Sequence, residues 1–120
     1  MVIKIQPDLT LRNNLLAFGF ECEEGWHNLI NELIKKLDNA PEEMYVTQVK
    51  EKYGRLCFYV FGATEASYDI IDEYEKKSTN ICEVCGDTLT ARIRVRNFWY
   101  KTVCDSCALE LSYNDFPNTP

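Results

Sequence analysis

The chain has 120 residues, of which 46% are hydrophobic and 27% charged, a composition typical of folded globular proteins and not of disordered ones. Its formal net charge of −6 disfavours direct binding to nucleic acid, because phosphates would be repelled on average. The longest apolar run, residues 56–61, is far shorter than the roughly 20 residues of a membrane helix. Residues 1–6 lack the features of a secretion signal, so we expect a cytoplasmic protein.

The first elements along the chain are a short strand and two helices. Residues 2–6 alternate like a strand, and residues 8–18 suggest a short helix that ends at Gly19. A much clearer pattern covers residues 26–37, where apolar side chains recur at helical spacing and predict an amphipathic helix packed on a core. His27, the single histidine, lies on this helix. We interpret it as an ordinary helix residue, since a general base needs an oriented partner that a sequence does not reveal.

A β-hairpin is predicted next. Residues 45–52 and 56–61 are rich in β-branched and aromatic side chains and flank a turn at residues 53–55. Alternate residues of the second strand should face the core, and Cys57 is then most simply a small buried residue of the sheet. The opposite face would need a loop or a partner to cover it.

A second amphipathic helix should begin after Thr64, which can cap it, and run to about Lys77. The residues expected to face the core are Ala66, Ile70, Ile71 and Tyr74. The outer face is rich in carboxylates, which form our candidate surface for a basic protein partner. This partner-binding set is Glu65, Asp69, Asp72 and Glu73. An ordinary solvated helix face is the alternative.

Two Cys-x-x-Cys pairs dominate the last third of the chain, Cys82 with Cys85 and Cys104 with Cys107. The residues between the pairs give a spacing typical of four-thiolate zinc sites. We therefore predict one structural Zn²⁺ ion with no coordination position left open for catalysis. Buried thiols and disulfides are the alternatives, and disulfides are disfavoured in a reducing compartment.

The segment between the cysteine pairs predicts a zinc ribbon, because residues 89–95 and 98–103 alternate like two strands around a turn at Asn97. Three arginines fall on one face of this ribbon beside an aromatic residue, a combination typical of phosphate-binding surfaces. This alternative basic patch is Arg92, Arg94, Arg96 and Trp99. Pairing of the arginines with acidic residues, or simple exposure to solvent, remains the other interpretation.

These elements predict an α+β fold, with helices packed on a small antiparallel sheet and a C-terminal four-cysteine zinc ribbon. We predict an α+β body over residues 1–80, a zinc-ribbon module over 81–113 and a flexible tail over 114–120. No catalytic set is predicted. A His-Asn-His nuclease needs several histidines, and this chain has one. A nucleophile at Cys22 or Cys57 would need a positioned histidine, and only His27 is available. A zinc deaminase needs proline where Ile81 stands. We therefore expect a protein that is not an enzyme.

Six runs of residues resemble a family of small proteins from bacteriophages and prophages. They are residues 18–22 (Phe-Gly-Phe-Glu-Cys), 25–26 (Gly-Trp), 29–30 (Leu-Ile), 46–54 (Val-Thr-Gln-Val-Lys-Glu-Lys-Tyr-Gly), 58–60 (Phe-Tyr-Val) and 81–86 (Ile-Cys-Glu-Val-Cys-Gly). The resemblance covers residues 18–107 and implies action in the cytoplasm of a bacterial host. Members of this size, acidity and metal content are similar to anti-CRISPR proteins, so we expect an inhibitor that binds a type II-A Cas9 and blocks target DNA. Its carboxylate set would then meet the positive nucleic-acid channel of that effector.

Two other functions stay open. The ribbon arginines could bind nucleic acid directly, in which case binding should weaken steeply with salt and depend on those side chains. Alternatively, the chain could be a phage adaptor that joins protein partners of unknown identity.

Overall fold

The computed structural model describes residues 21–40 and 44–116. The strand predicted for residues 2–6, the helix predicted for 8–18 and tail residues 117–120 lie outside this part of the chain. Within it are three α-helices and two antiparallel two-stranded sheets, which confirms the predicted α+β class. Two clusters of buried apolar residues fill the body and the cysteine region respectively. The division into body, module and tail stays a prediction.

Helix α1 (His27–Asp38) follows a 3-10 turn at Glu24–Trp26. It forms where the apolar spacing predicted it, and one face of the helix enters the body core. The buried residues of this face and the preceding turn are Trp26, Leu29, Ile30, Leu33, Ile34 and Leu37. Lys35 and Lys36 lie in the last turn, where positive charge suits the carbonyl end of a helix.

The predicted hairpin is confirmed as β1 (Tyr45–Lys52) and β2 (Arg55–Phe61). Only Tyr53 and Gly54 form the turn, with φ angles of 54° and 82°. Two central residues with positive φ are the mark of a type I′ turn, whose twist matches that of the strands it joins.

One face of this hairpin packs in the core through Val46, Val49, Leu56 and Phe58, all of them buried. The other face is open among the described residues, and Phe61 on it is 70% exposed. The prediction that Cys57 is buried was wrong. Cys57 lies opposite Lys50 on the open face and is half-buried, because alternation sends it away from the core.

Helix α2 (Glu65–Ser78) is capped by the side chain of Thr64, which accepts a hydrogen bond from the N–H of Ser67. The predicted inner face was wrong by one residue at its start, since Ala66 is exposed and Ser67 is buried. Ser67 lies four residues before Ile71 and seven before Tyr74, which places it on the same face of the helix as these core residues. Its buried residues are Ser67, Ile71, Tyr74 and Ser78.

The second sheet consists of β3 (Arg92–Arg96) and β4 (Trp99–Val103), followed by helix α3 (Asp105–Leu111). The strands are shorter than predicted, because residues 89–91 lie outside β3 and Phe98 joins Asn97 in the turn. Both turn residues have positive φ, 48° for Asn97 and 70° for Phe98. This hairpin thus repeats the turn geometry of the first one.

Residues 114–116, at the start of the predicted tail, contact the cysteine region. Asn114 exchanges backbone hydrogen bonds of 2.9 Å with Val95, and Phe116 stacks on Tyr100 with ring centroids 5.5 Å apart. Asn114 thus extends the second sheet, and Phe116 covers one side of the half-buried Tyr100.

Candidate metal centre

The first cysteine pair sits in a tight turn. The N–H of Cys85 points at the Sγ atom of Cys82 at 3.5 Å, and the N–H of Gly86 donates to the carbonyl of Cys82 at 2.9 Å. Gly86 has a φ of 84°, a conformation that glycine adopts without steric cost. This turn brings both sulfurs to the same side of the backbone.

The second pair begins helix α3. Cys104 is the residue before the helix, and its sulfur accepts from the N–H of Cys107 at 3.5 Å. A helix N-terminus carries unpaired N–H groups and a partial positive charge, which favour the thiolate form of a cysteine. Turn and helix therefore each present two sulfurs to one cluster.

The four sulfurs meet with the separation that a metal requires. The Sγ atoms of Cys85 and Cys104 are 3.7 Å apart, and all four lie within 4.8 Å of one another. Tetrahedral Zn–S bonds of about 2.3 Å would separate the sulfurs by about 3.8 Å, whereas a disulfide joins them at about 2.05 Å. All six cysteines are free thiols, and these four could hold a metal ion such as zinc.

Ionisation of the cluster is uneven. Burial would raise the pKa of Cys82, but backbone N–H groups of Cys85, Cys104 and Val84 point at its sulfur and lower that pKa to about 7. Burial, with the neighbouring thiols, raises the pKa of Cys107. The lowered pKa favours the thiolate form of Cys82 near neutral pH, whereas a bound cation would be needed to hold Cys107 as a thiolate.

The remaining two cysteines lie outside the cluster. Cys22 packs against the body core, and burial, followed by the charges of Glu83, Glu23 and Glu51, raises its pKa to about 12. A thiol held neutral in this way is a poor nucleophile.

The metal centre is joined to the body by backbone contact at Gly25. Its N–H donates to the carbonyl of Glu83 at 2.7 Å. A Cβ atom at this position would lie 2.0 Å from the carbonyl oxygen of Cys82, so only glycine fits. Beside it, the indole N–H of Trp26 donates to the carbonyl of Ile81 at 2.8 Å.

A charged pair strengthens this junction. Glu83 lies between the ligands of the first pair and is 2% exposed. Its carboxylate accepts from the N–H of Glu23 at 3.1 Å and lies 3.5 Å from Lys101 Nζ. Burial raises the pKa of Glu83, and the Glu23 N–H and Lys101 oppose that rise. Burial opposes the charge of Lys101, but the hydrogen bond to Glu23 and the charge of Glu83 raise its pKa.

The junction also gathers residues from the runs on which the family resemblance rests. Gly25 bonds to Glu83 and Trp26 to Ile81, both in the segment of the first cysteine pair. Gly54 is buried, and its carbonyl accepts from the hydroxyl of Thr102 at 2.5 Å. The sequence signal for this junction is two glycines in otherwise structured segments, although spacing alone does not reveal what they touch.

The carboxylate set predicted to bind a partner is exposed along α2. Two of its members pair with the chain's own cations. Asp72 lies 3.2 Å from Arg55 and 3.1 Å from Lys76, and Glu73 lies 3.9 Å from Lys77. Glu65 and Asp69 complete the set. Its net negative field is therefore weaker than the sequence suggests.

Two arginines of the predicted basic patch pair within the cysteine region. Arg92 makes a bidentate contact with Asp115, with N···O distances of 2.7 and 2.9 Å. The side chain of Arg94 is only 7% exposed and pairs with Asp105 at the start of α3. Neither guanidinium is presented as an open phosphate contact, so the three arginines do not form one basic surface.

The rest of that patch belongs to a different surface. Arg96 stacks over the ring of Tyr113 at 4.9 Å and donates to the carbonyl of Leu111, a neutral acceptor. Trp99 is 71% exposed and faces Arg96 across the hairpin.

A cleft between the turns of the two hairpins was not predicted. It has a volume of about 510 Å³ and is lined largely by aromatic residues. The lining residues are Glu51, Lys52, Tyr53, Phe98, Trp99 and Tyr100. Each turn carries aromatic residues in the sequence, and the docking of the two hairpins brings them together.

Comparisons of the chain with protein-family models, curated proteins and solved structures found no match. None of the described helices is long and apolar enough to cross a membrane.

Proposed function

We propose that this chain is a non-catalytic binding protein whose C-terminal module is stabilised by one structural Zn²⁺ ion. The observation that carries the proposal is the cluster of four sulfurs within 4.8 Å of one another, a set that could hold a metal ion. Cys82, Cys85, Cys104 and Cys107 would hold the ion. Four thiolates fill its coordination sphere, so the metal supplies cross-linking of two segments and no site for a substrate.

Binding rather than catalysis fits the surroundings of the metal. Three of the four cysteines are buried, and Cys85 is the exposed one. The body and the metal centre share Gly25 and the Glu83–Lys101 pair, so the ion would fix the orientation of two hairpins. A fixed arrangement of surfaces is what a binding protein requires.

Metal analysis of the purified chain tests this proposal. We expect one zinc per chain, loss of zinc in Cys104→Ser, and retention in the matched variant Cys57→Ser, whose thiol is outside the cluster. Removal of zinc by a chelator should lower the midpoint of urea unfolding, because metal binding is linked to folding. A metal-free chain of unchanged stability would refute a structural role.

The family resemblance suggests a narrower function, inhibition of a type II-A Cas9 in the cytoplasm of a bacterial host. Support comes from the exposed carboxylates Glu65 and Asp69, which are free to face a basic protein surface. The pairing of Asp72 and Glu73 with the chain's own cations weakens that support. This function stays a prediction, as does a phage adaptor role with an unidentified protein partner.

Target-DNA cleavage by a Cas9–guide complex, with and without the zinc-loaded chain, tests the narrower function. The prediction is inhibition that falls when Glu65 and Asp69 are changed to Gln and Asn. A matched variant is Glu32→Gln, an exposed carboxylate on α1. Full cleavage in the presence of excess protein would contradict it.

A further inference from the structure

The cleft between the two hairpin turns presents several exposed aromatic rings. Phe98 is 91% exposed and Tyr53 is 68% exposed, and Trp99 lies next to Phe98. The rings of Tyr53 and Tyr100 meet edge to face at 5.9 Å, which holds the two turns against each other. Aromatic rings presented in this way offer flat faces on which another ring can stack.

Backbone conformation at the turns adds a second observation. Tyr53 and Phe98 both lie in the left-handed region, with φ angles of 54° and 70°. Type I′ turns strongly favour glycine or asparagine there, and a bulky residue costs free energy. The cost at Phe98 is not offset by burial, because the side chain lies in solvent. Strain of this kind points to a role in binding.

Local charge identifies the occupant. The net charge of the chain is −6, and the residues lining the cleft include one carboxylate and one ammonium. The carboxylate of Glu51 accepts from the N–H of Gly54 at 2.8 Å, whereas the ammonium of Lys52 lies over the ring of Tyr53 at 5.7 Å. Arg96 stands opposite Trp99 in the β3–β4 register. Among the described residues, neither cation forms an ion pair. Cations interleaved with exposed rings are the combination that binds single-stranded nucleic acid, through phosphates and stacked bases.

We propose that the cleft binds single-stranded nucleic acid, with bases stacked on Phe98 and Trp99 and phosphates beside Lys52 and Arg96. This inference rests on the proposed binding function and names its partner class. It moves the predicted nucleic-acid contact away from Arg92 and Arg94, which are paired within the module. The acidic remainder of the chain would repel a rigid duplex while a short single strand enters the cleft.

Titration of the zinc-loaded chain with a fluorescein-labelled oligonucleotide of about 12 bases, as DNA and as RNA, tests this proposal. Two neutralised phosphates predict an affinity that falls about sevenfold between about 50 and 200 mM salt. Nucleobase stacking should also quench the tryptophan fluorescence. The quenching must come from Trp99, because the other tryptophan, Trp26, is fully buried.

Variants separate the site from the rest of the surface. Trp99→Ala should weaken binding about tenfold, and Lys52→Ala should weaken it and flatten the salt dependence. Phe98→Gly should weaken binding while stability is kept or raised, because glycine relieves the strained turn. Phe61→Ala, which removes an exposed ring outside the cleft, should bind like the original chain.

A chain that contains zinc and unfolds cooperatively but binds no oligonucleotide at about 50 mM salt would overturn this inference. The proposed structural metal would then still stand. Binding that is equally strong in Trp99→Ala and Phe98→Gly would also overturn the inference. Failure to retain zinc would instead refute the proposed structural metal. Capture of a protein that competes for the cleft, without any oligonucleotide binding, would replace nucleic acid as the occupant.

Discussion

Substitution of Gly25 by alanine is the most direct perturbation of the junction between body and metal centre. The added Cβ would lie 2.0 Å from the carbonyl oxygen of Cys82 and 2.4 Å from that of Glu83. Both are backbone atoms in the first cysteine turn and cannot move without displacing the sulfurs. The two segments must therefore separate.

The expected loss follows from the contacts that separation breaks. The bonds from Gly25 N–H, Trp26 Nε1–H and Glu23 N–H all cross the junction. At about 1 kcal/mol for each hydrogen bond, Gly25→Ala should lower the free energy of unfolding by about 3 kcal/mol. This corresponds to a shift of about 1–3 M in the urea midpoint.

Urea unfolding of the zinc-loaded chain, followed by the fluorescence of Trp26, measures this loss. Asn28→Ala is the matched control, since Asn28 is an exposed residue three positions further on and should change stability by less than about 0.5 kcal/mol. An unchanged midpoint in Gly25→Ala would refute the close packing of the junction.

Two further predictions concern the contact between α2 and β2. The hydroxyl of Ser78 accepts from the buried N–H of Leu56 at 2.9 Å, so Ser78→Ala should cost about 1–3 kcal/mol in thermal or urea unfolding. Thr79→Ala, at a more exposed hydroxyl, should cost less. Burial raises the pKa of Glu75 above 4.5, against the opposing bond from Phe58 N–H. The Glu75 carboxyl therefore binds its proton more tightly in the folded chain than in the unfolded chain. The stability that this proton contributes is fully present below pH 4.5 and is lost as pH rises through the raised pKa. Glu75→Gln should therefore gain stability relative to the original chain as pH rises over that range; a difference independent of pH would contradict the shift.

Local signals predicted most of the secondary structure. Residues 26–37 have the full helical spacing of apolar side chains, and the β1–β2 hairpin has β-rich strands around a glycine turn. Both elements appear as predicted. The cysteine cluster was also predictable, because ligand spacing constrains which sulfurs can meet.

One error was local, because hydrophobicity alone favours Ala66 although Ser67 is the residue at helical spacing from Ile71 and Tyr74. The other errors arose where long-range contacts decide the outcome. Arg94 is buried because Asp105, eleven positions later, provides its counter-charge. The aromatic cleft depends on two hairpins whose turns are far apart in sequence. Periodicity within one element carries none of this information.

Native mass spectrometry of the purified chain, before and after modification of accessible thiols, tests the central claim most directly. A four-thiolate site predicts one Zn²⁺ per chain, seen as the mass of one zinc less two protons at a given ion charge. It also predicts slow modification of Cys82, Cys85, Cys104 and Cys107 until the metal is removed. A folded chain without metal, or with zinc that survives Cys104→Ser, would contradict the account.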